Sequence, residues 1–455
     1  MPDTDIRVRE ASAFFSDERA REPLKFGSSV VDAVTLCHVR VEVENRRGQV
    51  AEGWGAIFLS HLWAFPGVDI DHHIKDTLMR RIAEGFCQRV MDYDEFAHPI
   101  DIFLALEDDL RSINMRLCRE MALQQEMPFL GALVSASPVD AAIHDAYGNV
   151  NNISTYDGYS AEFMGSDLSR YLGMEFRGRY LSDFLRPDFA PTLPIFHVVG
   201  GLDKLRSSEP SADGRPNSLE AWIRQEGVFC LKVKQNGKNM AWDIDRLLDV
   251  YAVAAETSIQ PTKIRMSLDA NEQCESPAYM IELLNRVREK NPQAYDSIIL
   301  IEQPTERDMC HSRFDMRELA AMKPVFVDES LTSLEDMDVA LELGWSGIAL
   351  KICKCHSMEL LLAAKAAASN IPYAMQDLTC PGIALLHSVG LTARLNPVLG
   401  VETNARQYYP DTSAPEAAVH PGIFNVRKGI VSTATLGGRG LGYRISEIRR
   451  PLFAL

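Results

Sequence analysis

Three lysines and three carboxylates stand at the ends of strand-like segments in this chain, and together they could move a proton off and onto carbon. Six apolar runs end abruptly in a charged or amide residue, at intervals of roughly 23 to 35 residues. The endings are Lys232-Val-Lys234, Asp269-Ala-Asn271, Glu302-Gln303-Pro304, Asp328-Glu329-Ser330, Lys351 and Gln376-Asp377. Residues i and i+2 of a strand share a face, so Lys232 projects with Lys234 and Asp269 with Asn271. Asp269, Glu302 and Asp328 on consecutive strands would repel one another if ionised and unpaired in a partly buried site. A divalent cation relieves that, and all-oxygen ligation with room for water and substrate suits Mg²⁺. No histidine or cysteine holds these positions, which disfavours zinc.

Lys232-x-Lys234 and Lys351 flank the carboxylates. A lysine becomes a base near neutral pH only if its pKa falls from about 10.4 to about 7 or 8, which takes roughly 3 to 4.5 kcal/mol. A neighbouring lysine and a nearby metal supply much of that by like-charge repulsion. Opposed lysines can then take a proton from one side of a carbon and return one from the other. A metal would stabilise the enediolate formed when the carbon next to a carboxylate loses its proton. Singly, a Lys-x-Lys pair is usually a solvated face and an aspartate after a strand a helix cap; the order and spacing of the whole set argue for a site.

Positioning these groups requires strands that alternate with helices. The strand segments are Val228 to Leu231, Ile264 to Leu268, Ile298 to Ile301, Val325 to Val327, Gly347 to Leu350 and Pro372 to Met375, preceded by Leu193 to Val199 and followed by Val398 to Val401, which ends at Glu402. Strand and helix in alternation predict a parallel sheet of βαβ units, and in a closed barrel the strand C-termini meet at one face. Helix starts are expected at Asn217-Ser218, Ser276-Pro277 and Thr332-Ser-Leu-Glu335, and a stop at Gly227. The first 190 or so residues read differently. Val39 to Val43 and Ala56 to Leu59 flank Asn45-Arg-Arg-Gly48 as an antiparallel hairpin. Helical patterns follow over His73 to Val90 and Ile100 to Gln124, with a third opening at Ser137-Pro138. In this last one Ala141, Ala142 and Ala146 permit close approach of another element. Asn149 to Ser160 reads as an exposed loop. The last 50 residues, with Gly437-Gly-Arg-Gly-Leu-Gly442, are expected to return to the first domain; that glycine cluster does not run from strand to helix, so it is a weak nucleotide signal.

The bulk numbers agree. A chain of 455 residues, 46% hydrophobic and 24% charged, accommodates a barrel and a second domain. A net charge of -16 disfavours phosphate-backbone binding, so no nucleic acid is expected. Neither a basic-then-apolar N-terminal segment nor a run of about 18 apolar residues is present, and a cytoplasmic protein that does not engage membranes is expected. Nine scattered cysteines read as reduced thiols, and Cys353-x-Cys355 lacks a second pair at zinc spacing. His72, His73 and His311 read as packing or surface residues.

The motifs Leu-Lys232-Val-Lys234, Ser-Leu-Asp269-Ala-Asn271, Ile-Glu302-Gln-Pro304, Val-Asp328-Glu-Ser330 and Ala-Leu-Lys351 resemble the barrel motifs of the enolase superfamily, and most closely its muconate-lactonizing-enzyme subgroup. Ser137-Pro-Val-Asp-Ala-Ala-Ile-His-Asp-Ala-Tyr-Gly148 resembles the helix that ends that family's capping domain. The resemblance implies an α/β fold, a (β/α)7β modified TIM barrel over residues 191–404, with an α+β capping domain over 1–190 completed by 405–455. It implies one Mg²⁺ on Asp269, Glu302 and Asp328, an acid/base pair Lys234 and Lys351, and Lys232 polarising the substrate carboxylate and tuning its neighbour. Capping loops Phe15 to Ser29, with Arg19, Arg21, Lys25 and Phe26, and Trp54 to Gly67, with Trp63 and Phe65, would close over the substrate. Asn271, Gln376, Asp377 and Glu402 are further candidate substrate contacts, Asp377 toward an ammonium or hydroxyl or in a structural role. A homo-oligomer is expected from the family.

Two departures stand out. Lys351 is followed by Ile-Cys-Lys-Cys-His-Ser, where the family usually carries two glycines. Gln376-Asp377 lacks the histidine of the mandelate-racemase subgroup. The expected function is Mg²⁺-dependent abstraction of the proton next to a substrate carboxylate, by a racemase, epimerase or cycloisomerase. A dehydratase on a hydroxy or sugar acid uses the same residues, and a non-catalytic barrel that binds a ligand or partner is the alternative from another class. A metal hydrolase would not need two opposed lysines.

Overall fold

The computed structural model describes residues 2–454 apart from 28, 68, 208, 210, 261 and 262. Strands β1 (Ile6–Phe26), β2 (Ser29–Asn45) and β3 (Val50–Phe58) form an antiparallel sheet in that order. The β2–β3 hairpin turns where expected, because Asn45 Oδ1 accepts from the N–H groups of Arg47 and Gln49, both at 3.1 Å. Of Phe15 to Ser29, expected as a loop, Phe15 to Phe26 and Ser29 are instead strand. Phe15 pairs with Cys37, Leu24 with Val31 and Phe26 with Ser29, and the register shifts between Arg19 and Leu24. Cross-strand backbone bonds hold this arm, so its charged residues need no apolar alternation to stay extended. Of Trp54 to Gly67, the first part completes β3 and the second forms α1 (His61–Ala64).

Helices α2 (His72–Met91), α3 (Pro99–Glu120) and α4 (Phe129–Asn151) pack behind the sheet. α4 opens nine residues before the expected start, and Pro138 lies inside it. Proline removes the N–H that would bond the Val134 carbonyl. Ser137 Oγ donates to that oxygen at 2.9 Å, so the serine replaces the missing donor and does not cap the helix. Ala142 and Ala146 admit β3 closely. A Cβ on Gly53 would stand 2.2 Å from Ala146 N, and one on Gly55 2.1 Å from Pro138 O. Beyond α4, the expected surface loop contains a 3₁₀ turn, Thr155–Tyr159, with Thr155, Tyr156 and Tyr159 buried. The Tyr159 hydroxyl finds its partners among interior histidines, which permits its burial.

Eight parallel strands then close a barrel: β4 (Thr192–Val199), β5 (Cys230–Lys234), β6 (Arg265–Asp269), β7 (Ile298–Glu302), β8 (Val325–Val327), β9 (Gly347–Leu350), β10 (Tyr373–Met375) and β11 (Val401–Glu402). Closure is made by Val401 beside Ile195 and Glu402 beside Phe196. This is the expected fold class. The helix Leu219–Glu226 starts at Ser218, whose side chain accepts from Ala221 N, and stops at left-handed Gly227. The cap expected at Thr332 falls one residue later, since Ser333 accepts from Asp336 N while the Thr332 hydroxyl donates to the Asp336 carboxylate. After the barrel, β12 (Ile430–Ser432) pairs antiparallel with the start of β4. Leu441 N then donates to Asp145 Oδ1 of α4 at 2.8 Å, and the Phe453 ring lies 4.8 Å from Trp54. The nine cysteines are unpaired, Cys310 exposed and the others buried. Among the described residues, no helix is long and apolar enough to cross a membrane.

Candidate active site

Parallel pairing sets Lys234 beside Asp269 and Asp269 beside Glu302, so neighbouring strands deliver their ends to one level. Strand alternation turns Lys232 and Lys234 to the same side and leaves Val233 to pack outward. The ammonium of Lys232 sits at the centre. It donates to Glu302 Oε1 at 2.8 Å, Gln376 Oε1 at 2.9 Å and Glu402 Oε2 at 3.2 Å, and lies 3.1 Å from Asp269 Oδ2. Lys234 donates to Asp269 Oδ2 at 2.5 Å and Asn271 Oδ1 at 2.9 Å. From the far side of the ring, Lys351 pairs with Asp328 Oδ2 and reaches within 3.9 Å of Glu302 Oε1. Lys354, one 3₁₀ turn later, donates to Asp328 Oδ1 at 3.1 Å and to the Asp328 carbonyl at 2.7 Å. All four lysines are buried.

Burial alone would raise the carboxyl of Asp269, but Lys234 and Lys232 outweigh it and hold it at about 2. Asp328 is driven further down, because Lys351 and Lys354 outweigh its burial. Burial pushes Glu302 up to about 8 in spite of Lys232. Burial would lower Lys351, yet the Asp328 carboxylate carries it above the ordinary lysine value. Lys232 rises likewise, its burial overcome chiefly by Glu302 and Glu402.

Among the described residues, no three histidine, cysteine or acidic side chains converge closely enough to hold a metal ion as they stand, since ammonium groups lie between the carboxylates. The donors nevertheless suit a hard cation. Asp269, Glu302 and Asp328 offer only oxygen, and Glu302 Oε2 is buried without a hydrogen-bond partner. An unspent carboxylate oxygen in an acid-rich interior is where an added cation is stabilised.

Above this layer lies a pocket of about 600 Å³, counting its mouth. Lys232, Lys234, Asn271 and Lys351 line its base, and the wall carries Leu24, Val31, Val34, Phe58 and Trp63 of the N-terminal sheet region. Trp63 is fixed from three sides. Its indole face lies 4.4 Å from Lys351 Nζ, its N–H donates to Glu329 Oε1 at 2.9 Å, and its carbonyl accepts from Arg307 at 3.0 Å. Asn271 Nδ2 shares the same Glu329 oxygen at 3.0 Å. Burial, with help from Asp328, raises Glu329 to about 7.

The expected residues thus gather at one barrel mouth: Lys232, Lys234, Lys351, Asp269, Glu302, Asp328, Asn271, Gln376, Asp377 and Glu402. Asp377 lines the pocket, but its oxygens accept from Cys380 N at 2.8 Å and Asn404 N at 3.1 Å. Lys25 is not brought in. Its strand alternation faces Leu24 to the pocket and turns Lys25 the other way, against Gly201. The Phe26 side chain lies outside the described residues. The sequence reading gave no individual role to Lys354, Glu329, Phe58 or Tyr409. Lys354 had a signal, three residues beyond Lys351 on the same turn; Glu329 stands in the Asp328-Glu329-Ser330 ending and Phe58 within the expected capping stretch Trp54 to Gly67, while Tyr409 enters through tertiary packing alone.

The family model described as enolase C-terminal domain-like matches residues 216–449. Solved structures of similar fold include a muconate lactonizing enzyme from Pseudomonas Fluorescens complexed with muconolactone, at 17% identity and a TM-score of 0.59, with 98% of this chain and 99% of that one covered. An enolase from Bradyrhizobium complexed with magnesium and mandelic acid matches at 16% identity and a TM-score of 0.61, over 96% and 95% of the two chains. The dipeptide epimerase from Enterococcus faecalis V583, complexed with Mg and the dipeptide L-Leu-L-Tyr, matches at 15% identity and a TM-score of 0.58, over 96% and 99%. No curated protein sequence matches.

Proposed function

Because this chain belongs to the enolase C-terminal domain-like family, we propose that it is an enzyme that works through an enediolate next to a substrate carboxylate, either removing the α-proton and returning one as a racemase or epimerase, or, as a cycloisomerase, delivering a proton to the α-carbon after an internal carboxylate adds to a double bond. One observation carries the reading: Lys234 on β5 and Lys351 at the end of β9 line a single pocket from opposite sides of the barrel. A substrate carbon between them can lose its proton to one amine and gain one from the other ammonium on the opposite face. The electron pair left behind moves onto the carboxylate, where the Lys232 ammonium meets the developing charge. Asn271, hydrogen-bonded to both Lys234 and Glu329, keeps Lys234 aligned. Trp63 excludes water above Lys351 and keeps its ammonium from swinging away.

Asp269, Glu302 and Asp328 would hold Mg²⁺, which when bound supplies further positive charge beside the substrate carboxylate and disfavours protonation of the nearby lysines. The magnesium in structures of similar fold favours this ion. The test is NMR of solvent-deuterium incorporation at the α-carbon across a panel of carboxylates, with Mg²⁺ and with EDTA. Metal-dependent exchange that disappears in Lys234→Ala or Lys351→Ala is expected. Full exchange in both variants would sink the reading.

A further inference from the structure

Resting on that reading in its racemase or epimerase form, we infer the substrate class: a carboxylic acid whose substituent at the reacting carbon is apolar and carries no second acidic group. The argument is the distribution of charge around the pocket. Its lining cations among the described residues are Lys232, Lys234 and Lys351, all at the base, where they meet the reacting carboxylate. The wall opposite carries Leu24, Val31, Val34, Phe58 and Trp63, with the neutral hydroxyls of Ser60 and Tyr409 as its polar groups, and among the described residues no cation there to receive a second carboxylate. Basic residues near that wall are turned to other partners. Arg21 donates to Asp213 and to the Pro216 carbonyl at 3.0 Å, and Arg307 to Glu272 and the Trp63 carbonyl. Lys25 lies beside Gly201, on the other face of its strand.

A carboxylate placed against the apolar wall would be buried without a cationic partner, a cost of several kcal/mol. The acidic residues lining the pocket, Asp377 and Glu402, add negative charge and give it no partner either. An apolar substituent avoids that cost and covers the wall.

Matched probes sharing one side chain test this: N-acetyl-phenylalanine and N-succinyl-phenylalanine. Each is measured with the Mg²⁺-supplied full chain, by calorimetric binding and by α-deuterium exchange. Binding of N-acetyl-phenylalanine at least about tenfold tighter than the succinyl derivative is expected, with Leu24→Lys shifting the preference toward N-succinyl-phenylalanine by a similar factor. Tighter binding of the succinyl derivative by the unaltered protein overturns the inference and leaves proton abstraction standing, as does no measurable binding of the acetyl derivative at millimolar concentration when the succinyl derivative exchanges. Preferential binding of N-acetyl-phenylalanine without exchange keeps the substrate class and sinks proton abstraction instead.

Discussion

Two buried polar clusters lie on either side of the segment Lys351 to Ser357, and they are built on opposite principles. The barrel mouth is ionic and unfinished: four lysines face Asp269, Glu302, Asp328 and Glu402, and among the described residues Glu302 Oε2, Glu329 Oε2 and Gln376 Nε2 have no hydrogen-bond partner. The second cluster is a closed chain of six side chains between α4, the turn Thr155–Tyr159, the start of the helix His356–Ala368, and His387 on the helix Gly382–Arg394. Its links are His387 Nε2 to His356 Nδ1 at 2.8 Å, His356 Nε2 to Tyr159 OH at 2.9 Å and Tyr159 OH to His144 Nδ1 at 2.7 Å, then His144 Nε2 to Ser357 Oγ and Ser357 Oγ to Asp140 Oδ1, both at 2.8 Å. With Asp140 ionised, one set of tautomers satisfies it, each proton pointing toward Asp140, so every imidazole is neutral. Burial agrees, lowering His144, His356 and His387. Unspent charge marks a place made for a ligand, whereas a saturated neutral chain fixes one element against another.

Substitutions should therefore have reciprocal effects. Lys351→Ala removes a proton carrier and should cut turnover by roughly 10²- to 10⁴-fold. Thermal stability should barely move, because Asp328 keeps Lys354 at 3.1 Å. A melting point that collapsed in this variant would make the ionic cluster structural and erase the contrast. Asp140→Ala should do the reverse. Asp140 accepts from Ser357 N and Oγ, both at 2.8 Å, and so caps from α4 a helix whose own cap residue, Cys355, offers no side-chain bond. Losing these bonds to a buried carboxylate should cost roughly 2–4 kcal/mol, read from urea unfolding, with turnover of the folded protein changed by less than about tenfold. Unchanged stability would deny the cluster its bracing role.

The same contrast decides what could be read from the sequence. The ionic cluster was legible because a parallel barrel repeats: each strand ends in its functional residue, so order and spacing reveal Lys232, Asp269, Glu302, Asp328 and Lys351 before any packing is known. The neutral chain was not. Asp140 and His144 lie more than 200 residues from Ser357, and no local period connects them. Cys355-His356-Ser357 registered as a departure from the glycine pair, and its reason is tertiary: Cys355 adopts φ 74°, and His356 and Ser357 are both bonded to the N-terminal region. The arm of β1 and β2 was misread for a related cause. Its pairing is cross-strand, while its sequence is charged enough to resemble a loop.

The smallest expected effect sharpens the comparison through pH. His387 is held at about 3 by burial, against about 6.5 when unfolded. The unfolded chain thus binds the proton more readily, so the contribution of His387 is complete above about pH 6.5 and is lost as pH falls toward 3. Asp140 works in the opposite direction, since burial raises it to about 7 and the folded state is the better proton binder between its unfolded value and 7. A whole-protein profile mixes the two, so the informative quantity is a difference. His387→Gln keeps an amide donor for His356 Nδ1 and removes the titration. Between pH 7 and 5, the unaltered protein should lose roughly 1–2 kcal/mol more stability than this variant in paired urea unfolding curves. Identical slopes would mean that His387 reaches water in the folded state, and that the chain it ends is open and not closed.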